Sequence, residues 1–151
     1  MRRKIPNDTA TFTFYDANPK GKKTGDCVVR AISAVTDKPW DEVLDGLTAI
    51  AHKYKEMPND RKCYSKYLES LGFKKCKQPR AYLYSDDSYC KYTGSEFCEL
   101  LNDEEIHGRK IFAHIGGHHV CAILENDFGE YTVHDTWDST YYTIGNYWIK
   151  E

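Results

Sequence analysis

Phe12 and Phe14, separated by Thr13 and preceded by Thr11, alternate as a short strand does, and Asp16-Ala17-Asn18-Pro19-Lys20-Gly21 breaks that pattern. From Thr24-Gly25-Asp26 onward the apolar spacing becomes helical. Val28, Val29, Ile32, Ala34 and Val35 form a broad face, Thr24 or Asp26 is available as a cap, and Cys27 falls in the first turn. A second helix is expected from about Pro39 to Tyr54, with Asp37 as cap and Trp40, Val43, Leu44, Leu47, Ile50 and Ala51 on one side. A third, near Lys62 to Leu71, presents Tyr64, Tyr67, Leu68 and Leu71 and stops at Gly72. The fourth is short, opened by the capping box Thr93-x-x-Glu96 and followed by Phe97, Leu100 and Leu101.

After Gly108 the period changes to that of strands: Ile111 to Ala113, Val120 to Leu124, Tyr131 to Thr136 and Tyr141 to Ile149. Helices lead and an antiparallel sheet follows, which predicts an α+β fold. The stretches 55–62 and 76–95 read as loops, and no repeat or low-complexity segment interrupts the pattern. A chain of 151 residues with this apolar content is expected to form one domain over residues 1–151.

Charge narrows the classes little. The 21 basic and 23 acidic side chains nearly cancel, and outside Lys20, Lys22, Lys23 and Lys74, Lys75, Lys77 they are interspersed. That is not the footprint of a nucleic-acid-binding domain. Pro6-Asn7-Asp8-Thr9 stands where a signal peptide needs an apolar run, and no later stretch is long and apolar enough to span a bilayer. The expectation is a cytoplasmic protein, with no nucleic-acid or membrane partner and its six cysteines reduced. No C-x-x-C pair occurs. His114-x-x-x-His118 with Cys121 permits a metal reading, but nothing supplies an obvious further pair, so neither metal nor cofactor is expected.

The candidate chemistry follows from placement. A thiol at a helix start has its thiolate favoured by unpaired backbone N–H groups, which singles out Cys27. Gly116-Gly117-His118-His119 leads directly into the apolar run Val120-Cys121-Ala122-Ile123-Leu124, and Asn126-Asp127-Phe128-Gly129 turns the chain into Tyr131-Thr132-Val133-His134-Asp135. A tight hairpin sets residue 119 opposite 136 or 137, so Asp135 lies within one or two positions of His119 across the ladder. His118 is the rival histidine and Asp138, in the turn after Trp137, the rival carboxylate. His134 belongs to the opposite face of its strand.

Thr24-Gly25-Asp26-Cys27-Val28-Val29-Arg30-Ala31-Ile32, Gly117-His118-His119-Val120-Cys121-Ala122-Ile123 and Val133-His134-Asp135-Thr136-Trp137-Asp138-Ser139 resemble the nucleophile, histidine and aspartate motifs of small papain-like cysteine peptidases. They are similar in order to bacteriocin-leader peptidases and to microbial and phage proteins of the Gly-Asp-Cys-Val-x-Arg type. The resemblance implies a papain-like fold and a cysteine hydrolase acting on a peptide or protein substrate. In it Cys27 is the nucleophile, His119 its base and Asp135 the residue that orients the histidine. The same order occurs in transglutaminase-like and arylamine acetyltransferase-like proteins, so it also fits an acyl transferase or amidase, or a papain-like binding protein without chemistry. Papain relatives use an upstream glutamine in the oxyanion hole. No glutamine stands between Met1 and Cys27, and Asn18 is the nearest amide side chain, hence the oxyanion candidate.

Overall fold

The computed structural model describes residues 4–151; residues 1–3, which open the stretch read above for a signal peptide, lie outside the described residues. A six-stranded sheet forms the middle of the molecule. Its strands are β1 (Phe12–Phe14), β2 (Lys74–Cys76), β5 (Lys110–Ile115), β6 (His119–Glu125), β7 (Tyr131–Asp135) and β8 (Ile144–Lys150), in the order β1-β7-β6-β5-β8-β2. Every pairing is antiparallel except that of β1, which runs parallel to β7. The arrangement is α+β, as the helix-then-strand pattern predicts.

Helices α1 (Cys27–Thr36), α2 (Trp40–Tyr54) and α3 (Arg61–Ser70) cover one face of the sheet, and α4 (Gly94–Asp103) covers the other. The reason lies in the alternation of the central strands. Phe112, Val120, Ala122 and Trp148 point to the three-helix side and pack with Val28, Ile32, Val35, Leu47 and Leu68. Ile111, Ala113, Ile115, Cys121, Ile123, Val133 and Ile144 point the other way, onto Phe97, Cys98 and Leu101 of α4. Tyr64 and Phe112 each meet Trp148 edge to face and each other at a tilt, with ring centroids 5.2–5.6 Å apart.

Three elements differ from the sequence reading. Lys74–Cys76 forms the edge strand β2, and Arg80–Leu83 pairs with Ser88–Lys91 as a separate hairpin, β3–β4, inside the stretch read as loop. Both faces of that hairpin are largely exposed, so no apolar alternation marks it. The last strand begins at Ile144 rather than Tyr141, because Tyr141 and Tyr142 form an exposed turn whose backbone caps α4: Gly94 N–H donates to Tyr142 O (2.9 Å) and Ser95 N–H to Thr140 O (3.0 Å). The capping box at Thr93 and Glu96 is formed in both directions.

Candidate active site

Cys27 is the first residue of α1, half-buried, at a position where the backbone N–H has no intrahelical acceptor. The helix is fixed there by its apolar side, since Val28, Val29, Ile32 and Val35 are buried against the sheet. Asp26 occupies the cap position but makes no capping bond. Its carboxylate instead forms a buried ion pair with Arg30 Nη1, one turn on, and accepts from Trp40 Nε1 at 3.0 Å and Asn18 Nδ2 at 3.2 Å.

His119 opens β6 and stands at the end of the sheet. A three-residue turn closes the β6–β7 hairpin: Asn126 N–H donates to Glu130 O (2.8 Å), and Gly129, at φ +76°, takes the left-handed conformation that the third loop position requires. That turn sets the register Ala122↔His134 and Ile123↔Val133. Continued toward the open end, it puts His119 opposite residue 137 and Asp135 two positions back on the same face. His119 Nε2 accordingly donates to Asp135 Oδ2 at 2.6 Å, and the Trp137 ring lies against the imidazole with centroids 4.8 Å apart.

Asp135 is buried and held on every side. It accepts from Thr136 N–H (2.7 Å, Oδ1) and Ser139 Oγ–H (2.9 Å, Oδ2), and Arg30 Nη2 lies 3.8 Å from Oδ1. Arg30 therefore stands between two buried carboxylates, Asp26 on the loop before Cys27 and Asp135 on β7, and offsets the charge of both. A buried ion needs such partners, or desolvation outweighs what it gains.

With Nε2 on Asp135, the other ring nitrogen is left for the thiol. Burial alone raises the Cys27 pKa, but the hydrogen bond and charge of His119, the Val120 backbone N–H and the Arg30 charge outweigh it and hold the thiol below its ordinary 9.0. Burial lowers the His119 pKa, and the hydrogen bonds to Asp135 and Cys27 overcome that, raising it to about 9 from 6.5. Each shift favours the charged form of its own group, so together they favour a thiolate–imidazolium pair. The other core thiols go the opposite way: burial pushes Cys98 up to about 12 and raises Cys63 and Cys121.

The structure thus brings Cys27, His119 and Asp135 together. His118 is exposed in the turn before β6, and Asp138 accepts from Thr140 within its own turn. His134 lies on the other face and bonds the Thr132 carbonyl. Asn18 is near the loop before Cys27, but its amide N–H groups already donate to Asp26 and, at 3.5 Å, to Lys22 O; as an oxyanion donor it would have to give one of them up. Arg30 and Ser139 stand inside the sequence motifs, but no role is read for either there. The spacing Asp26 to Arg30, four residues at a helix start, is a legible ion-pair signal; Ser139 gives none.

Among the described residues no group of three or more His, Cys, Asp or Glu side chains is arranged to hold a metal ion, and no helix is long and apolar enough to cross a membrane. None of the six cysteines is paired. No family model, curated protein or solved structure matches this chain.

Proposed function

We propose that this protein is a papain-like cysteine hydrolase acting on an amide, most simply a peptide bond. The observation that carries the reading is the bond from His119 Nε2 to a buried, threefold hydrogen-bonded Asp135, with Cys27 beside the same histidine. A cysteine buried only for packing has no need of a histidine whose second nitrogen is fixed by a carboxylate.

In this reading the Cys27 thiolate attacks the carbonyl carbon and forms a C–S bond, while the carbonyl oxygen takes negative charge. The free N–H of Cys27 is the first donor to that oxyanion. The C–N bond then breaks, and the proton carried by the His119 imidazolium goes to the departing amine. A thioester remains. His119, now neutral, takes a proton from water as the water attacks; the C–S bond breaks, and a carboxylic product leaves with thiolate and imidazolium restored. Asp135 keeps the ring turned toward the sulfur through both halves.

The test is a synthetic peptide library incubated with wild type and with Cys27→Ala, read by mass spectrometry for new termini and for acyl adducts on Cys27. Cleavage and adduct that both require Cys27 support the reading; added amine appearing in the products identifies acyl transfer in place of hydrolysis. A library that yields neither product nor adduct on wild type speaks for a binding protein and against it.

A further inference from the structure

A cationic group borders the nucleophile, and the triad does not use it. Arg61, the first residue of α3, is exposed, and its Nη2 lies 3.3 Å from His114 Nε2 on β5. Burial and the charges of Arg61, His118 and His119, in that order, push the His114 pKa down. Arg61 and the triad histidine therefore both lie close enough to His114 to disfavour its proton. The turn before α3, closed by Met57 N–H donating to Asp60 (2.9 Å), is tied to the loop before Cys27 by Asn59 Nδ2, which donates to Gly25 O (3.4 Å). Tyr64 links the two regions as well. Its phenol is raised by burial, hydrogen bonding to Arg61 pulls it down, and the Cys27 charge raises it.

Several other cations of the protein meet carboxylates, though not all: Lys150 donates to a carbonyl, and Lys53 and Lys75 lie over aromatic rings. Arg30 has Asp26 and Asp135, Arg109 has Glu104 and Glu151, Lys66 has Glu56, and Lys38 has Glu42. Arg61 has no carboxylate within ion-pair distance among the described residues; its hydrogen-bond partner is an imidazole whose proton it repels. A guanidinium held by neutral groups keeps its fork free for an anion.

We infer that Arg61, with His114, forms a carboxylate-recognising subsite beside Cys27, so that the preferred substrate carries an acidic group next to the scissile amide. The inference rests on Cys27 as the nucleophile. The carboxylate is either an Asp or Glu side chain or the terminus of a short peptide.

Three alkylating probes read the subsite at Cys27 without knowledge of the substrate: N-iodoacetyl-glutamic acid α-amide (side-chain carboxylate), N-iodoacetyl-glutamine (terminal carboxylate) and N-iodoacetyl-glutamine amide (neutral). In wild type one charged probe should react about three- to ten-fold faster than the neutral one at low ionic strength, and the advantage should shrink with salt. It should fall to near parity in Arg61→Gln, a change at an exposed position, and be reduced in His114→Gln. The faster charged probe identifies the source of the carboxylate. A neutral probe that matches both charged ones in wild type, or an advantage that survives Arg61→Gln, overturns the subsite. Failure of the nucleophile reading looks different: all three probes then alkylate Cys27 at the rate of an ordinary thiol, while their ratio still reports on Arg61.

Discussion

His119 Nε2 and Asp135 Oδ2 lie 2.6 Å apart across the open end of the β6–β7 hairpin, inside a site where the carboxylate is almost fully buried. The contact decides which ring nitrogen faces the thiol, so it acts on proton position as much as on stability. In Asp135→Asn the His119 pKa should fall from about 9 toward the ordinary 6.5, followed by imidazole proton and carbon shifts in an NMR titration. Activity on any substrate found should drop about 10²-fold or more. An unchanged His119 titration removes Asp135 from the triad.

The pH dependence of the reaction follows from the two partners. The ion pair exists above the lowered Cys27 pKa and below the raised His119 pKa. The rate should therefore rise as Cys27 loses its proton below the ordinary thiol value of 9.0, level off, and fall as pH passes through about 9, where His119 loses its own. A rate that keeps rising through that alkaline limb would mean His119 is not the proton donor to the leaving group.

Stability carries the same signature with a sign that can be separated by mutation. A raised His119 pKa contributes stability that is complete below 6.5 and lost as pH rises through about 9. A lowered Cys27 pKa contributes stability that is present above 9.0 and lost as pH falls through the folded value. In wild type the proton that His119 gains is the one Cys27 gives up, so between the two the slopes oppose each other and stability is nearly flat. In Cys27→Ser only the histidine contribution remains, and denaturant unfolding should show stability declining as pH rises above 6.5.

Arg30 is the cation for two buried carboxylates, Asp26 and Asp135. Arg30→Met leaves both without it and should cost about 3–5 kcal/mol in urea unfolding. Asp26→Asn should cost less, since Trp40 and Asn18 still have an oxygen acceptor there. Loss of less than about 1 kcal/mol in Arg30→Met would show that the pair is not buried as described.

Gly94 begins α4 where a Cβ would come within 2.9 Å of Ile115 Cδ1 and 3.1 Å of the Thr140 backbone. Gly94→Ala should push α4 from the turn that carries Ser139 and destabilise by about 1–3 kcal/mol, measured by thermal unfolding. Because that Ser139 hydroxyl bonds Asp135, activity should fall further than stability alone explains.

Much of this was legible along the chain. The helix that starts at Cys27, the capping box at Thr93 and Glu96, and the hairpin that brings His119 to Asp135 all declare themselves through apolar period and turn chemistry, which are local properties. What stayed hidden depends on distant partners. The parallel pairing of β1 with β7 is set by where the loop after Phe14 returns, not by any pattern in Phe12-Thr13-Phe14. The β3–β4 hairpin stands off the core, so its residues carry no buried face to read. Asp26 reads as a cap because its backbone sits at a helix start, yet an arginine one turn on and Trp40 from the next helix claim its side chain.

The most direct test of the thiolate pair is the pH dependence of iodoacetamide alkylation at each cysteine, read by mass spectrometry in wild type and His119→Ala. Cys27 should react selectively and at a pH below its ordinary 9.0, with Cys63, Cys98 and Cys121 as slow internal controls, and should lose that reactivity in His119→Ala. A Cys27 that titrates like an ordinary thiol, near 9.0 and unaffected by His119→Ala, would contradict the account.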